Sequence, residues 1–125
     1  MNNKKDNDYY INKIIENIDA IIKYTKNKSE VELLNDNILL DAIMFRLVQL
    51  AENINNLSYE FRNKYSTIPW GEIIGFRNGI VHDYGKTNYS IVIEIIYRDV
   101  YTLKEQIEQI ILEENNNWKL SLYIK

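Results

Sequence analysis

The chain has 125 residues, a length that suits one domain with a single hydrophobic core. It contains no cysteine, which excludes a disulfide framework and a thiolate metal site. The net charge is −3 and the isoelectric point is near 5.2. This balance argues against a protein that coats nucleic acid through bulk positive charge. It still permits an enzyme that holds a few phosphates at one local site.

The first half of the chain predicts two helices. With one proline and four glycines, long elements with few interruptions are expected. Isoleucines recur at helical spacing over about residues 8–26, which predicts the first helix. Ser29 and Glu32 then have capping-box spacing, which predicts a short capped turn. From Leu40 to Phe61 apolar residues alternate steps of three and four, which predicts a second, uninterrupted helix. Its N-cap candidates are Asn35, Asp36 and Asn37.

The second half predicts two more helices and a short tail. Proline tolerates the first turn of a helix, so the third helix is expected over about Pro69–His82, with Gly85 placed to end it. The fourth is expected over about Asn88–Glu113, and residues 118–125 alternate weakly, as in an extended arm or a docked turn. The sequence therefore predicts one all-α domain over residues 1–125, an up-and-down bundle of four to five helices.

The expected location is the cytoplasm. No apolar run approaches the roughly 20 residues needed to cross a bilayer, so we expect no membrane association. The N-terminal stretch is polar and lacks the apolar core of a signal peptide.

The only histidine of the chain lies in a stretch that also offers other chemically useful side chains. On a helix, Asn78 and His82 are one turn apart and share a face, while Arg77 lies on the neighbouring one. Both Arg77 and His82 lie toward the helix C-terminus, where the helix dipole favours a protonated imidazole. Gly75 and Gly79 are four residues apart, which would allow another backbone to approach closely. Spacing alone more often reflects a surface histidine and a solvated arginine than a catalytic pair.

The same stretch resembles the signature of HepT-like toxins of the HEPN superfamily. That signature is arginine, four residues, histidine, one residue and tyrosine, and Arg77, His82 and Tyr84 fill it without a gap. The lead-in Ile68-Pro69-Trp70 is also similar to the family. A second match lies in the predicted second helix, over residues 42–47 and 50–53, with Ala51 and Asn53 as departures.

The resemblance implies a homodimer with a composite active site and metal-independent cleavage of RNA without a cofactor. It assigns Arg77 and His82 as catalytic residues. It also implies a partner, a minimal nucleotidyltransferase antitoxin that transfers AMP to Tyr84 and silences the toxin.

Cleavage of RNA without a metal ion needs a base that takes the proton of the 2′-hydroxyl and an acid that protonates the leaving 5′-oxygen. It also needs positively charged donors that bind the phosphate. One chain offers one histidine, so a two-fold dimer would supply the second imidazole. Asn78 is interpreted as a supporting residue that orients the phosphate or His82, and a structural hydrogen bond is an equal alternative. Arg46 and Glu52 are a possible pair behind the site, although a structural or solvated ion pair is the ordinary explanation.

Two other functions fit the same fold. One is a non-catalytic helical partner that helps a nucleotidyltransferase hold its substrate. The other is a helical dimerisation domain whose histidine is incidental. The intact arginine–histidine–tyrosine motif favours the ribonuclease toxin.

Overall fold

The computed structural model describes residues 4–82 and 88–114, which form helices joined by short turns, with no strand among them. The predicted all-α class is therefore confirmed. The helices are α1 (Lys4–Thr25), α2 (Glu30–Leu34), α3 (Asn37–Asn56), α4 (Tyr59–Lys64), α5 (Trp70–His82), α6 (Tyr89–Glu94) and α7 (Val100–Glu114). None of the helices in these ranges has the length and apolarity to span a membrane.

The core is centred on the contact between α1 and α3, and α7 packs against α1. Most of the isoleucine stripe of α1 is buried, as the periodicity predicted, while Ile15 and Ile22 are partly buried. It meets the buried face of α3, where Ile43 and Ile54 have no exposed surface. Fully burying one such side chain contributes about 1.5–3 kcal/mol, so this seam is a large part of the stabilisation. The fully buried isoleucines of α1 are Ile14, Ile18 and Ile21.

The junction of α3 and α4 corrects the prediction of one uninterrupted helix to Phe61. Helix α3 ends at Asn56, Leu57 is extended, and Ser58 starts α4 by accepting the backbone N–H of Phe61 at 3.1 Å. The buried side chain of Asn7 on α1 accepts the N–H of Ser58 at 3.0 Å and donates to its hydroxyl at 3.2 Å. Leu57 and Phe61 are both buried, so the apolar spacing continues across the break.

The predicted caps of α2 and α3 are confirmed. Ser29 accepts the N–H of Glu32 at 3.1 Å, and the Glu32 carboxylate accepts the N–H of Ser29 at 2.8 Å. Asp36 is the N-cap of α3, since its carboxylate accepts the N–H of Leu39 at 3.0 Å. These bonds satisfy backbone donors that a helix start leaves without partners.

The predicted third helix is confirmed as α5, which begins directly after Pro69. Nε1 of the Trp70 indole lies 3.0 Å from the carbonyl oxygen of Arg62 and 3.1 Å from that of Tyr65. Its N–H group donates to both oxygens. This buried contact ties the start of α5 to the end of α4.

The predicted fourth helix is present but contains an irregular turn. Asn88 caps α6 by accepting the N–H of Ser90 at 3.0 Å. A π-helical turn over Ile95–Asp99 then joins α6 to α7, and the backbone stays helical on both sides. A π turn holds one more residue than an α turn, which the spacing of apolar residues did not reveal. Gly85 and the tail 118–125 lie outside the described residues.

Candidate active site

Helix α5 presents Arg77 at the edge of its contact with α3. The buried side of α5, which includes Trp70 and Ile80, packs toward the core, and the Arg77 side chain is 29% exposed. Its Nε lies 2.8 Å from Oε1 of Glu52 on α3. The Nε–H bond does not point at that oxygen, so the contact is an ion pair without a well-aligned hydrogen bond.

A second contact holds the outer end of the same guanidinium. Nη1 of Arg77 donates to Oδ1 of Asn78 at 2.9 Å. Glu52 and Asn78 therefore fix Arg77 from two directions. Arginine has five N–H donors in a planar fork, and the remaining Nη hydrogens are available to a phosphate.

The structure brings together Arg77 and Asn78, two of the predicted site residues. His82 is the last residue of α5, five residues beyond Arg77, which corresponds to about 7.5 Å along the helix axis. The side chain of His82 and the whole of Tyr84 lie outside the described residues, so their roles stay predictions. Asn78 contacts the arginine, a role that the sequence did not suggest.

Glu52 has a different partner from the one considered in the sequence. Nη1 of Arg46 donates to Oδ1 of Asn17 on α1 at 3.3 Å, and its guanidinium lies 5.8 Å from the centroid of the Tyr24 ring. Arg46 thus links α3 to α1, while Glu52 forms an ion pair with Arg77. The sequence signal for Glu52 was its place in the stretch 50–53 that resembles the family.

Three glycines line the face of α5 beside the Arg77–Asn78 contact. Gly71, Gly75 and Gly79 are spaced by one turn each and are all exposed. A Cβ atom built at any of the three would meet no atom within 4 Å. No packing within the described part of this chain therefore requires glycine there, and the face is open to another molecule.

A cavity of about 510 Å³ lies on another side of α5, between α3 and α7. Its walls are mainly apolar and include Leu50, Phe76 and Leu103. Neither Arg77 nor Asn78 lines it. Such walls offer little to a phosphate, so we assign the candidate site to the Arg77 side of α5.

Comparison with known proteins identifies the family of the chain. The model of a family described as "Ribonuclease HepT-like" matches residues 14–110, which include Glu52, Arg77, Asn78 and His82. The chain belongs to the HepT-like ribonuclease family. The resemblance predicted from the motif is therefore confirmed. No solved structure matches the chain.

Curated relatives of this HepT-like chain carry ribonuclease names. A protein of Methanocaldococcus jannaschii, named "Gamma-glutamylcyclotransferase and putative RNase", is 35% identical over 96% of this chain. The chain spans only 55% of that protein's length. A "Putative RNase" of Caldanaerobacter subterraneus is 32% identical over 84% of this chain and 94% of its own. A "Probable ribonuclease HepT" of Thermococcus cleftensis is 23% identical over 86% of this chain and 97% of its own.

Proposed function

We propose that this protein is an endoribonuclease toxin that cleaves RNA without a metal ion, through attack of the RNA 2′-hydroxyl on the adjacent phosphate. The observation that supports it most directly is the fixed guanidinium of Arg77. Glu52 and Asn78 hold it at the edge of an open helix face, five residues before the only histidine. A guanidinium held in place before the substrate arrives stabilises the charge that builds on phosphoryl oxygens.

The proposed reaction needs two proton transfers and no other reactant. A base takes the proton of the 2′-hydroxyl, and the 2′-oxygen forms a bond to phosphorus. The bond from phosphorus to the 5′-oxygen breaks, and an acid protonates that oxygen. The products are a 2′,3′-cyclic phosphate and a 5′-hydroxyl. Imidazole, with an ordinary pKa of about 6.5, suits both proton roles at neutral pH, and His82 is the proposed group.

The two proton roles lead to the proposed homodimer. A two-fold axis beside α5 would bring two copies of His82 and two of Arg77 to one groove. The exposed face with Gly71, Gly75 and Gly79 supports this arrangement, because helices without side chains at the contact can approach closely.

We further propose that the toxin is silenced by a minimal nucleotidyltransferase antitoxin that adds AMP to Tyr84. Tyr84 is two residues past His82, so the added group would bring bulk and negative charge to the groove that RNA must enter. Electrospray mass measurement of the Tyr84 peptide, after co-expression with such an antitoxin, tests this step. An unmodified peptide that accompanies a silenced toxin would reject it.

The ribonuclease activity is tested with purified protein, freed of any AMP on Tyr84, and labelled RNA in the presence of EDTA. We expect cleavage to products with cyclic phosphate ends, and none of a strand with 2′-deoxyribose at the cleavage position. His82→Ala and Arg77→Ala should each lower the rate at least 100-fold with unchanged thermal unfolding. Intact RNA with the wild-type protein would favour the non-catalytic partner of a nucleotidyltransferase. Activity that disappears with EDTA and returns with a metal ion would reject the proposed mechanism.

A further inference from the structure

A second concave surface of about 460 Å³ lies where α4 meets the start of α5. Its walls bring together chemically different groups that the proposed reaction does not use. They include a guanidinium, an amide, a hydroxyl and a phenol ring. The residues that supply these groups are Arg62, Asn63, Ser66 and Tyr59.

Arg62 is the cation of this surface, and within the described ranges it has no ion-pair partner. Its Nε is buried and has no hydrogen-bond partner among the described residues. Two other basic side chains, by contrast, are paired: Lys64 with Glu114 at 2.9 Å, and Arg98 with Glu94 at 2.8 Å. Because no ion pair neutralises Arg62 within these ranges, its guanidinium offers a positive charge to an anionic ligand on the surface that it lines.

The other walls suit a nucleotide better than a bare anion. Tyr59 is 73% exposed, and an exposed aromatic ring at a nucleic-acid site serves as a stacking surface for a base. Asn63 and Ser66 can exchange hydrogen bonds with a base or a sugar. Glu72 also lines the surface, and its carboxylate would repel an isolated phosphate but accept a hydrogen bond from the amino group of a base.

The position of this surface connects it to the candidate site. Trp70, whose indole holds the carbonyl of Arg62, begins α5, and Arg77 follows seven residues later. That separation is about 10 Å along the helix axis. A single strand of a few nucleotides is long enough to cover this separation.

We propose that Tyr59, Arg62, Asn63 and Ser66 form a subsite for a nucleotide of the RNA substrate that lies beyond the two nucleotides joined by the cleaved phosphate. Arg62 binds the phosphate of that nucleotide, and Tyr59 stacks on its base. The subsite rests on the proposed ribonuclease function. It predicts a preference for RNA longer than a dinucleotide, because a dinucleotide at Arg77 cannot reach Arg62.

The binding test uses Arg62→Gln in the full chain that also carries His82→Ala, so that bound RNA stays intact. Fluorescence anisotropy measures Kd for a labelled single-stranded RNA of about ten nucleotides over a range of salt concentrations. We expect Kd to rise about tenfold, and the slope of log K against log salt to fall by about 0.7, as for one lost phosphate contact. Arg98→Gln is the matched control, since it removes the same charge from an arginine that is already paired. Equal effects of the two variants would overturn the subsite.

The cleavage test compares a long RNA with a dinucleotide in the catalytically competent chain. Arg62→Gln should lower kcat/KM for the long RNA about tenfold and leave dinucleotide cleavage unchanged. An equal loss on both substrates would show that Arg62 acts through the fold or the reaction, and would overturn the subsite. A wild-type chain that cleaves neither substrate rejects the proposed function, whereas the binding test with Arg62→Gln still decides the subsite.

The stacking role has its own pair of variants. Tyr59→Phe should keep the wild-type Kd for the long RNA, and Tyr59→Leu should raise it about tenfold. Tyr59 is largely exposed, so neither change removes core packing. Equal Kd values for the two variants would reject stacking on this ring.

Discussion

Replacing Glu52 with glutamine tests whether Arg77 must be held in place to act. The change keeps the size of the side chain and removes the charge 2.8 Å from Nε of Arg77. Because the two side chains are 45% and 29% exposed, the pair contributes at most about 1 kcal/mol to the position of the guanidinium. A loss of about 1 kcal/mol lowers the population in the held geometry about fivefold. We therefore expect kcat to fall about two- to fivefold, with KM nearly unchanged.

Steady-state cleavage of a labelled RNA measures kcat and KM. Urea denaturation should show that the free energy of unfolding changes by less than about 1 kcal/mol. Glu94→Gln is the matched control, since it breaks another carboxylate–arginine contact of 2.8 Å, one turn apart on the helix surface. The control should leave kcat unchanged. The reasoning is refuted if Glu52→Gln leaves kcat within the error of the control or raises it. A higher kcat would mean that the carboxylate competes with the phosphate for Arg77.

Three further predictions use other parts of the structure. Arg77→Lys should lower kcat/KM about tenfold or more without changing thermal unfolding, because an ammonium keeps the charge but cannot reproduce the contacts of the planar fork; activity close to wild type would contradict the role of the fork. Ile43→Ala should lower the free energy of unfolding by about 2–5 kcal/mol in urea denaturation, since this side chain has no exposed surface, and a loss below about 1 kcal/mol would refute the described core. The backbone N–H and hydroxyl of Ser29 lower the pKa of Glu32 below its ordinary value of 4.5. The ionised form thus stabilises the fold above about pH 4.5, and this contribution is lost as pH falls through the lowered pKa. Glu32→Gln should therefore flatten the acid limb of the stability–pH curve, and an unchanged limb would contradict this.

The sequence predicted the helices well where one face is continuously apolar. The stripe of α1 and the buried face of α3 follow the expected spacing because one period determines both the helix and its burial. The break at Leu57 and Ser58 was missed because the apolar steps continue through it. The partner that supports the break is Asn7, fifty-one residues earlier than Ser58, and local periodicity carries no information on such a contact.

The candidate site was predictable only in part, for a similar reason. The motif identified Arg77 and Asn78 because they lie in one short stretch with His82. The choice of Glu52 as the partner of Arg77 depends on how α3 packs against α5, and no spacing in the sequence decides it. The state of Arg62 likewise depends on tertiary structure, because the packing of the helices leaves its Nε without a hydrogen-bond partner among the described residues.

The buried indole of Trp70 offers a practical consequence. It joins α4 to α5 through two carbonyls, and its ring lines the surface that contains Arg62. The only other tryptophan of the chain is Trp118. A Trp118→Phe variant would therefore carry a single tryptophan at the junction of these helices, and its emission, excited selectively above the tyrosine absorption, would report ligand arrival without any attached dye.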